Sequence, residues 1–410
     1  MRILLLTQWY PPEPAHTPEE FITTLHEFGY DVEVLTGFPN YPSGNLFPGY
    51  KLRLWMKEER DGIPIGRAFL YPDHSRSGFK RAINYISFAL SSAILGKWLV
   101  RKPDIIFVYH PPLTIGIPGI ILSKLWRIPF VYQVQDMWPE TLRATGMLSN
   151  ERILHWIDVF ARAIYKRANA ICVISPGFRR NLIEKGVPDE KLHVISNWVD
   201  TSVYYPAEPN AELAQKLGLD GKFNIMYGGN IGAAQALDVV LEAADRLRDH
   251  PQIQFVLVGD GVALPALQQK AQAMGLTNVK FLGRYPAAEM ANLYALADVL
   301  LVHLKDDPLF QITIPHKIFA YLASAKPILA AVRGDAADVI EEIGAGLVCP
   351  PEDVQALVET TLAFYKMPDE ELAEMGECGL RSVQEQFNKQ KQVAELADVL
   401  KQTVADYAAS

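Results

Sequence analysis

Cysteine is scarce in this sequence. Three thiols, Cys172, Cys349 and Cys378, stand far apart among 410 residues and share no metal-ligand spacing. That excludes a disulfide framework and a cysteine-held metal, and it points to a reducing compartment. Cys172 lies in the apolar run Ala170–Ile174, where a buried, inert thiol is expected. A signal-peptide pattern is missing, because Met1-Arg2 runs straight into a strand and charges soon follow, so a cytoplasmic protein is expected. Low-complexity tracts and short repeats are missing too. Long hydrophobic runs are nearly absent: Ala82–Val100 approaches the roughly 20 residues of a spanning helix but holds Asn84, three serines and Lys97. With a net charge of −8, no nucleic-acid partner is expected.

What is present is a double α/β pattern. A chain of 410 residues exceeds one core on the prior of roughly 100–200 residues per domain. Short runs rich in Val and Ile read as buried parallel strands at Ile3–Leu6, Val32–Thr36, Ile105–Tyr109, Phe130–Val134, Ala170–Ile174 and Leu192–Ile195. A second series follows at Asn224–Tyr227, Ile253–Val258, Val279–Leu282, Val299–His303, Ile328–Ala331 and Gly346–Cys349. Helical patterns separate most of them, which indicates βαβ units. The expected architecture is α/β: two Rossmann-like, doubly wound domains facing each other across a cleft. Residues 1–200 form the first, 201–222 a turn-rich linker and 223–387 the second. The helix at 388–410 is free to pack back on the first domain.

Four elements of the second half end strands or begin helices with residues suited to a phosphate. Gly228-Gly229-Asn230-Ile231-Gly232 lets a backbone approach a ligand without a Cβ, and Gly259-Asp260-Gly261 ends the next strand. Gly283-Arg284-Tyr285 follows a third strand, with side chains able to stack on a nucleobase. Thr313-Ile314-Pro315-His316-Lys317 enters a helix, whose amides and Lys317 form an anion site. Each alone is equally a structural turn. Together, at one sheet edge, they describe a nucleotide-diphosphate cradle.

The order of these motifs, continued by Ile314-Pro315-His316-Lys317-Ile318-Phe319-Ala320-Tyr321 and Lys326-Pro327-Ile328, resembles the donor half of glycosyltransferase family four. Tyr10-Pro11-Pro12-Glu13-Pro14, Thr36-Gly37-Phe38-Pro39-Asn40-Tyr41-Pro42, His110-Pro111-Pro112 and Gln135-Asp136-Met137-Trp138-Pro139 are similar to the bacterial subgroup that builds surface polysaccharides. Its relatives include colanic-acid and O-antigen fucosyl- or N-acetylfucosaminyl-type transferases. The resemblance implies a GT-B fold, with the nucleotide sugar, of UDP or GDP type, in the second domain and the acceptor in the first. It implies transfer with retention to a lipid-linked or growing glycan at the inner membrane face. No cofactor and no metal are implied, and the chain has no Asp-x-Asp. Preorganised dipoles and cations would meet the leaving phosphate instead.

On this reading Gly229, Asn230, Gly232, Gly259, Asp260, Gly283, Arg284, Tyr285, Thr313, Ile314, His316 and Lys317 hold the donor. Glu13, His16, Asn40 and Tyr41 hold the acceptor. Asp136, Gln135 and His110 are the catalytic candidates: a carboxyl to orient a hydroxyl, an amide for the donor sugar and an imidazole for phosphate or sugar. Asp136 is otherwise a helix cap and His110 a bystander. Arg179 and Arg180 read as a solvated helix face, and Trp138, Trp156 and Trp198 as packing. The chain departs from the family's Glu-x7-Glu pair, with Ile312 and Ala320 in those places, and Ala233 and Ala234 stand where a basic residue is frequent. Those departures keep two alternatives open, a non-catalytic nucleotide-sugar-binding partner subunit and a GT-B epimerase.

Charge is uneven. Residues 1–200 hold 23 basic and 19 acidic side chains, the remainder 16 and 28. The basic half suits an anionic membrane or phosphorylated acceptor, or is ordinary surface. Ala82–Val100, flanked by Arg76, Lys80, Arg81, Arg101 and Lys102, reads as a core helix or as an interfacial docking helix.

Overall fold

Two mostly parallel sheets organise the chain, each with central strands whose side chains are buried on both faces. The structure is a computed structural model that describes residues 1–75 and 77–409. The first sheet contains β1 (Arg2–Leu6), β2 (Asp31–Gly37), β3 (Trp55–Arg60), β4 (Ile63–Ala68), β5 (Ile105–Tyr109), β6 (Phe130–Val134), β7 (Ala170–Val173) and β8 (Leu192–Val194). Their order is β3-β4-β2-β1-β5-β6-β7-β8, parallel except for the edge pair β3–β4. The second contains β9 (Phe223–Gly228), β10 (Ile253–Val258), β11 (Val279–Gly283), β12 (Val299–His303), β13 (Ile328–Ala331) and β14 (Gly346–Cys349). Its order is β11-β10-β9-β12-β13-β14. Every strand in it is parallel to its neighbour, as in a doubly wound fold.

The β3–β4 hairpin is absent from the sequence reading. Trp-Met-Lys-Glu-Glu-Arg is a polar edge strand and carries no buried run, yet its turn, Asp61-Gly62, is a strong local signal. Both turn residues have positive φ, 52° and 77°. After the glycine loop a 3-10 turn at Ala233–Gln235 precedes the helix, which begins at Asp238.

The chain crosses between the domains twice. The first crossing is the connector after Trp198, which carries the short helix Ala211–Leu217. Trp198 is buried, and its indole N–H donates to Glu20 Oε2 at 2.5 Å. The second crossing leads into the helix Lys389–Ala409, which packs on the helix His16–Glu27 and on β5, β6 and β7 of the first sheet. Val393, Leu396, Ala397 and Leu400 complete a core there with Phe21, Phe107 and Cys172. Cys172 is fully enclosed, and burial pushes its thiol up.

The Ala82–Val100 segment is the body of a helix, Gly78–Leu99, capped by the Ser77 hydroxyl. One face, including Asn84, Phe88, Ser92 and Leu99, is buried, and the other is solvent-exposed. Arg76 lies outside the described residues. Trp156, expected to pack, is 70% exposed on the helix Glu151–Arg167.

Candidate functional site

The carboxyl ends of the two sheets meet, and named contacts close one end of the cleft between them. Ser175, just after β7, donates its hydroxyl to the Ile312 carbonyl at 2.6 Å. The Gly177 N–H and Arg180 Nη2 both donate to the carboxylate of Asp335, each at 2.5 Å. Gly177 leaves no space for a side chain, since a Cβ there would stand 2.6 Å from both Ile312 and Asp335. Leu309, Phe310 and Ile312 pack against the core of the first domain. Arg180 thus makes an inter-domain ion pair while its side chain stays 59% exposed, on the solvated helix face expected of it, and Arg179 pairs at the surface with Asp189. Ile312 is an apolar inter-domain contact.

On the second domain's edge, Gly229, Asn230, Gly259, Asp260, Arg284 and Tyr285 line one cavity of about 550 Å³. The structure thus brings three of the four sequence elements together. Their glycines serve one another. Gly259 has φ +143°, and a Cβ there would lie 1.8 Å from the Gly229 carbonyl oxygen. Only glycine permits that approach of two backbones. The expected fan of free N–H groups is not what results. Gly229 N–H donates to Val258 O, Ile231 N–H to Asp260 O and Gly259 N–H to Gly283 O. Gly232 N–H donates to the Gln235 side chain. Gly232 and Gly283 support the floor and do not line the cavity. The loops form a thin floor in which the N–H groups of Gly229, Ile231, Gly232 and Gly259 are already bonded.

The fourth element contributes differently from its expectation. Thr313 Oγ1 bonds to the Leu309 carbonyl, Ile314 is core, and His316 is an exposed residue edge-on to Phe319. None of the three lines the cavity. Lys317 is the exception. Its Nζ is enclosed, finds no hydrogen-bond acceptor, and sits 3.5 Å over the Tyr227 ring. A Cβ on Gly229 would be 3.2 Å from it, so the ammonium lies directly behind the glycine floor. Enclosure holds Lys317 well below the usual lysine range. Tyr204 from the connector and Tyr294 complete the wall, with rings stacked at 6.2 Å. Sequence reasoning missed both. The one signal was an aromatic in a turn-rich linker.

On the first domain's edge, His16 and Tyr41 line a smaller cavity of about 210 Å³, with Thr7, Trp9, Thr17 and Tyr109. Glu13 and Asn40 do not line it. Glu13 is 2% exposed, and its carboxylate accepts from the N–H groups of Asn40 and Tyr41, both at 2.8 Å, and of Tyr10 at 3.1 Å. Burial outweighs these donors and pushes it up to about 7. Asn40 is fully buried and bonds to Asn84. The acceptor contacts expected of this pair are corrected: they hold the loop that presents Tyr41.

The catalytic candidates divide in the same way. His110 is 1% exposed between Tyr132 and Trp138, and desolvation alone takes its imidazole down to about 3. It is a buried neutral ring below the edge, which corrects the expected contact with phosphate or sugar. Gln135 and Asp136 are partly exposed just past β6. Gln135 Nε2 has no acceptor. Asp136 caps no helix, since the next one begins at Glu140 with Pro139 before it. Burial raises its carboxyl, and its charge is felt by Tyr109 in the cavity wall.

Two such domains, joined by two crossings and each holding a cavity, define the GT-B fold. Comparisons with known proteins agree. Residues 14–198 match the family model described as a glycosyl transferase 4-like domain, and residues 222–367 the model for glycosyl transferases group 1. A protein of Escherichia coli K12 named as a colanic acid biosynthesis glycosyl transferase, WcaI, is 30% identical over 87% of this chain and 90% of its own. A protein of Pseudomonas aeruginosa named as a glycosyltransferase, WbjE, is 28% identical over 63% of this chain and 65% of its own. Among solved structures, HepE of Anabaena in complex with UDP superposes with a TM-score of 0.71 at 19% identity, covering 98% of this chain and all of that one. Sucrose-phosphate synthase of Thermosynechococcus elongatus gives 0.75 at 17% over all of both chains. The chain belongs to glycosyltransferase family four, and its relative WcaI is named for colanic acid biosynthesis.

Proposed function

We propose that the protein transfers a sugar, with retention at the anomeric carbon and without a divalent cation, from a UDP-type donor to a lipid-linked saccharide at the inner membrane face. The observation that carries this reading is Lys317. An enclosed ammonium without an acceptor is costly unless an anion arrives. A diphosphate laid on the glycine floor would supply the oxygens it lacks and put its charge where the leaving group gains negative charge. Asp136, free of other bonds, orients the acceptor hydroxyl, and Gln135 lies beside it for the donor sugar. The UDP and glucose bound in structures of HepE support the choice of base.

The membrane part rests on the helix Gly78–Leu99. Phe79, Ile83, Ile86, Leu90, Ile94 and Trp98 recur every three or four residues along its exposed face, and Ile121 and Leu125 extend the patch on the adjoining helix. Lys80, Arg81, Lys97, Lys102, Lys124 and Arg127 surround it, and 78–103 contains no acid. Arg101 is already paired with Asp31 and Glu33. An apolar stripe edged by cations fits the surface of an anionic bilayer. Among the described residues no helix is long and apolar enough to cross one.

Calorimetric titration with UDP, GDP, ADP and TDP, without divalent metal, tests the donor reading. Selective binding of UDP is expected. Binding of none would refute it. Ile312 and Ala320, which offer no oxygen to a ribose, favour a non-catalytic binding subunit as the second reading. UDP binding without sugar transfer or donor hydrolysis would establish that one. Replacing Lys80, Arg81, Lys97 and Lys102 by Gln is expected to weaken binding to anionic vesicles by about 1 kcal/mol per charge. Unchanged sedimentation with vesicles would remove the membrane from the proposal.

A further inference from the structure

The cavity on the first domain has a wall that the residues so far discussed do not explain. Trp9 and Tyr41 stand with ring centroids 5.0 Å apart and planes tilted by 35°. His74 meets Tyr41 edge-on at 4.7 Å and lies 6.0 Å from Trp9. Tyr85, from the exposed helix, meets Trp9 edge-on at 6.2 Å. Four rings from four segments thus converge, and two of them, Trp9 and Tyr41, line the cavity.

Behind the rings lies a chain of buried amides. Gln8 Nε2 donates to Asn84 Oδ1 at 2.6 Å, and Asn84 Nδ2 donates to Asn40 Oδ1 at 3.2 Å and to the Tyr71 carbonyl at 2.7 Å. Gln8, Asn40 and Asn84 are all fully buried. Together with Glu13 they join the loops after β1, β2 and β4 to the helix Gly78–Leu99. Such a network rigidifies what it supports, because breaking one member leaves another unsatisfied in the interior. The rings are therefore held in place before any ligand arrives.

Two polar atoms in the ring cluster remain open. Trp9 Nε1 and His74 Nε2 are enclosed without a hydrogen-bond partner. The cavity also carries Thr7, His16, Thr17 and Tyr109, and Asp136 acts on Tyr109. Its lining therefore joins aromatic rings to hydroxyl and imidazole groups. That combination matches a pyranose, which has a C–H face for an aromatic ring and an edge of hydroxyls. A quaternary ammonium, the other common guest of aromatic cages, has no acceptor for the Trp9 N–H.

We propose that the Trp9–Tyr41 wall is the platform on which the acceptor's terminal sugar ring stacks, so that Trp9 selects the acceptor. The inference rests on the reading of the first domain as the acceptor side, and it adds the residues and the chemistry. Because Asn84 and Tyr85 belong to the helix that faces the membrane, the stacked sugar is held at a fixed offset from the bilayer surface. The acceptor class is then a lipid-linked glycan whose receiving sugar lies close to its lipid.

Saturation-transfer NMR with methyl glycosides of common hexoses, deoxyhexoses and N-acetylhexosamines, with UDP present, is the test. Saturation of the ring protons of at least one glycoside is expected in the wild-type protein. Trp9→Ala should weaken that glycoside about tenfold or more, and Trp9→Phe, which keeps the ring face, much less. UDP affinity by calorimetry should be the same in all three. No saturation in any glycoside, or equal affinity in wild type and Trp9→Ala, overturns the proposal. So does a Trp9→Ala protein that loses UDP as well, because the effect would not belong to the wall. Glycoside binding that depends on Trp9 without any UDP binding leaves the platform standing and removes the donor reading.

Discussion

The two facing edges solve the problem of holding a substrate with opposite materials. The second domain's edge is backbone: glycine loops packed against each other, with one lysine beneath them. The first domain's edge is side chain: four rings braced by a chain of amides and one buried carboxyl. A backbone floor tolerates no added atom but makes little use of residue identity, whereas a side-chain wall depends on identity at every position. On the proposed function, the diphosphate common to many nucleotide sugars would meet backbone, and the acceptor, which distinguishes one transferase from another, would meet side chains.

The comparison breaks most readily at Gly259. Gly259→Ala should cost about 3 kcal/mol or more, because the added Cβ would stand 1.8 Å from the Gly229 carbonyl oxygen. Gly186→Ala, at φ +86° with nothing within 4 Å, should cost about 1 kcal/mol from left-handed strain alone. Denaturant unfolding of both variants measures the gap. Equal losses would mean that contact between the glycine loops is not what selects glycine.

Lys317 sharpens the same edge with a smaller effect. Lys317→Met should lower UDP affinity about tenfold to a hundredfold and leave the stability of the free protein unchanged or raised. The pH dependence has a definite sign. The folded ammonium loses its proton below the usual lysine range, so the unfolded chain binds more protons in the alkaline window below the ordinary 10.5. Stability of the free protein therefore rises with pH across that window, and Lys317→Met should flatten the rise. Thermal melts from pH 7 to 10 would show it.

The smallest expected effect on UDP affinity, none, is on the other edge. The Glu13 carboxyl keeps its proton to about 7 when folded, against an ordinary 4.5. Its contribution is complete below 4.5 and is lost as pH rises through about 7. Glu13→Gln should remove that slope without changing UDP affinity. A slope that persists in the variant would place the titration elsewhere.

The sequence showed these edges unequally. Gly228 to Gly232 and Gly259 to Gly261 are contiguous, each at the end of an apolar strand, so their place and partnership were readable. Lys317 was readable as the cation of a helix start. Trp9, His74 and Tyr85 were not, because they lie in three segments with nothing local to connect them. Only the folded sheet brings their segments together. Glu13, Asn40 and His110 sit in loop motifs that suggest contact with a ligand, and burial reverses that expectation. Ile312 shows a third kind of gap. Its apolar character is intelligible once it touches the other domain, and no local pattern reports an inter-domain contact.

The return of the helix Lys389–Ala409 to the first domain sets a schedule for synthesis. All eight strands of the first sheet have been made by Val194, but the helix that covers β5, β6 and β7 begins at Lys389. At the usual rates of elongation that interval lasts about 10 to 40 s. Throughout it Phe107, Val131 and Cys172 lack the cover that Val393, Leu396 and Leu400 later provide. The domain that starts first on the ribosome is thus the one finished last. Its half-covered sheet is the nascent chain's longest-lived target for chaperones, and for aggregation if they are withheld.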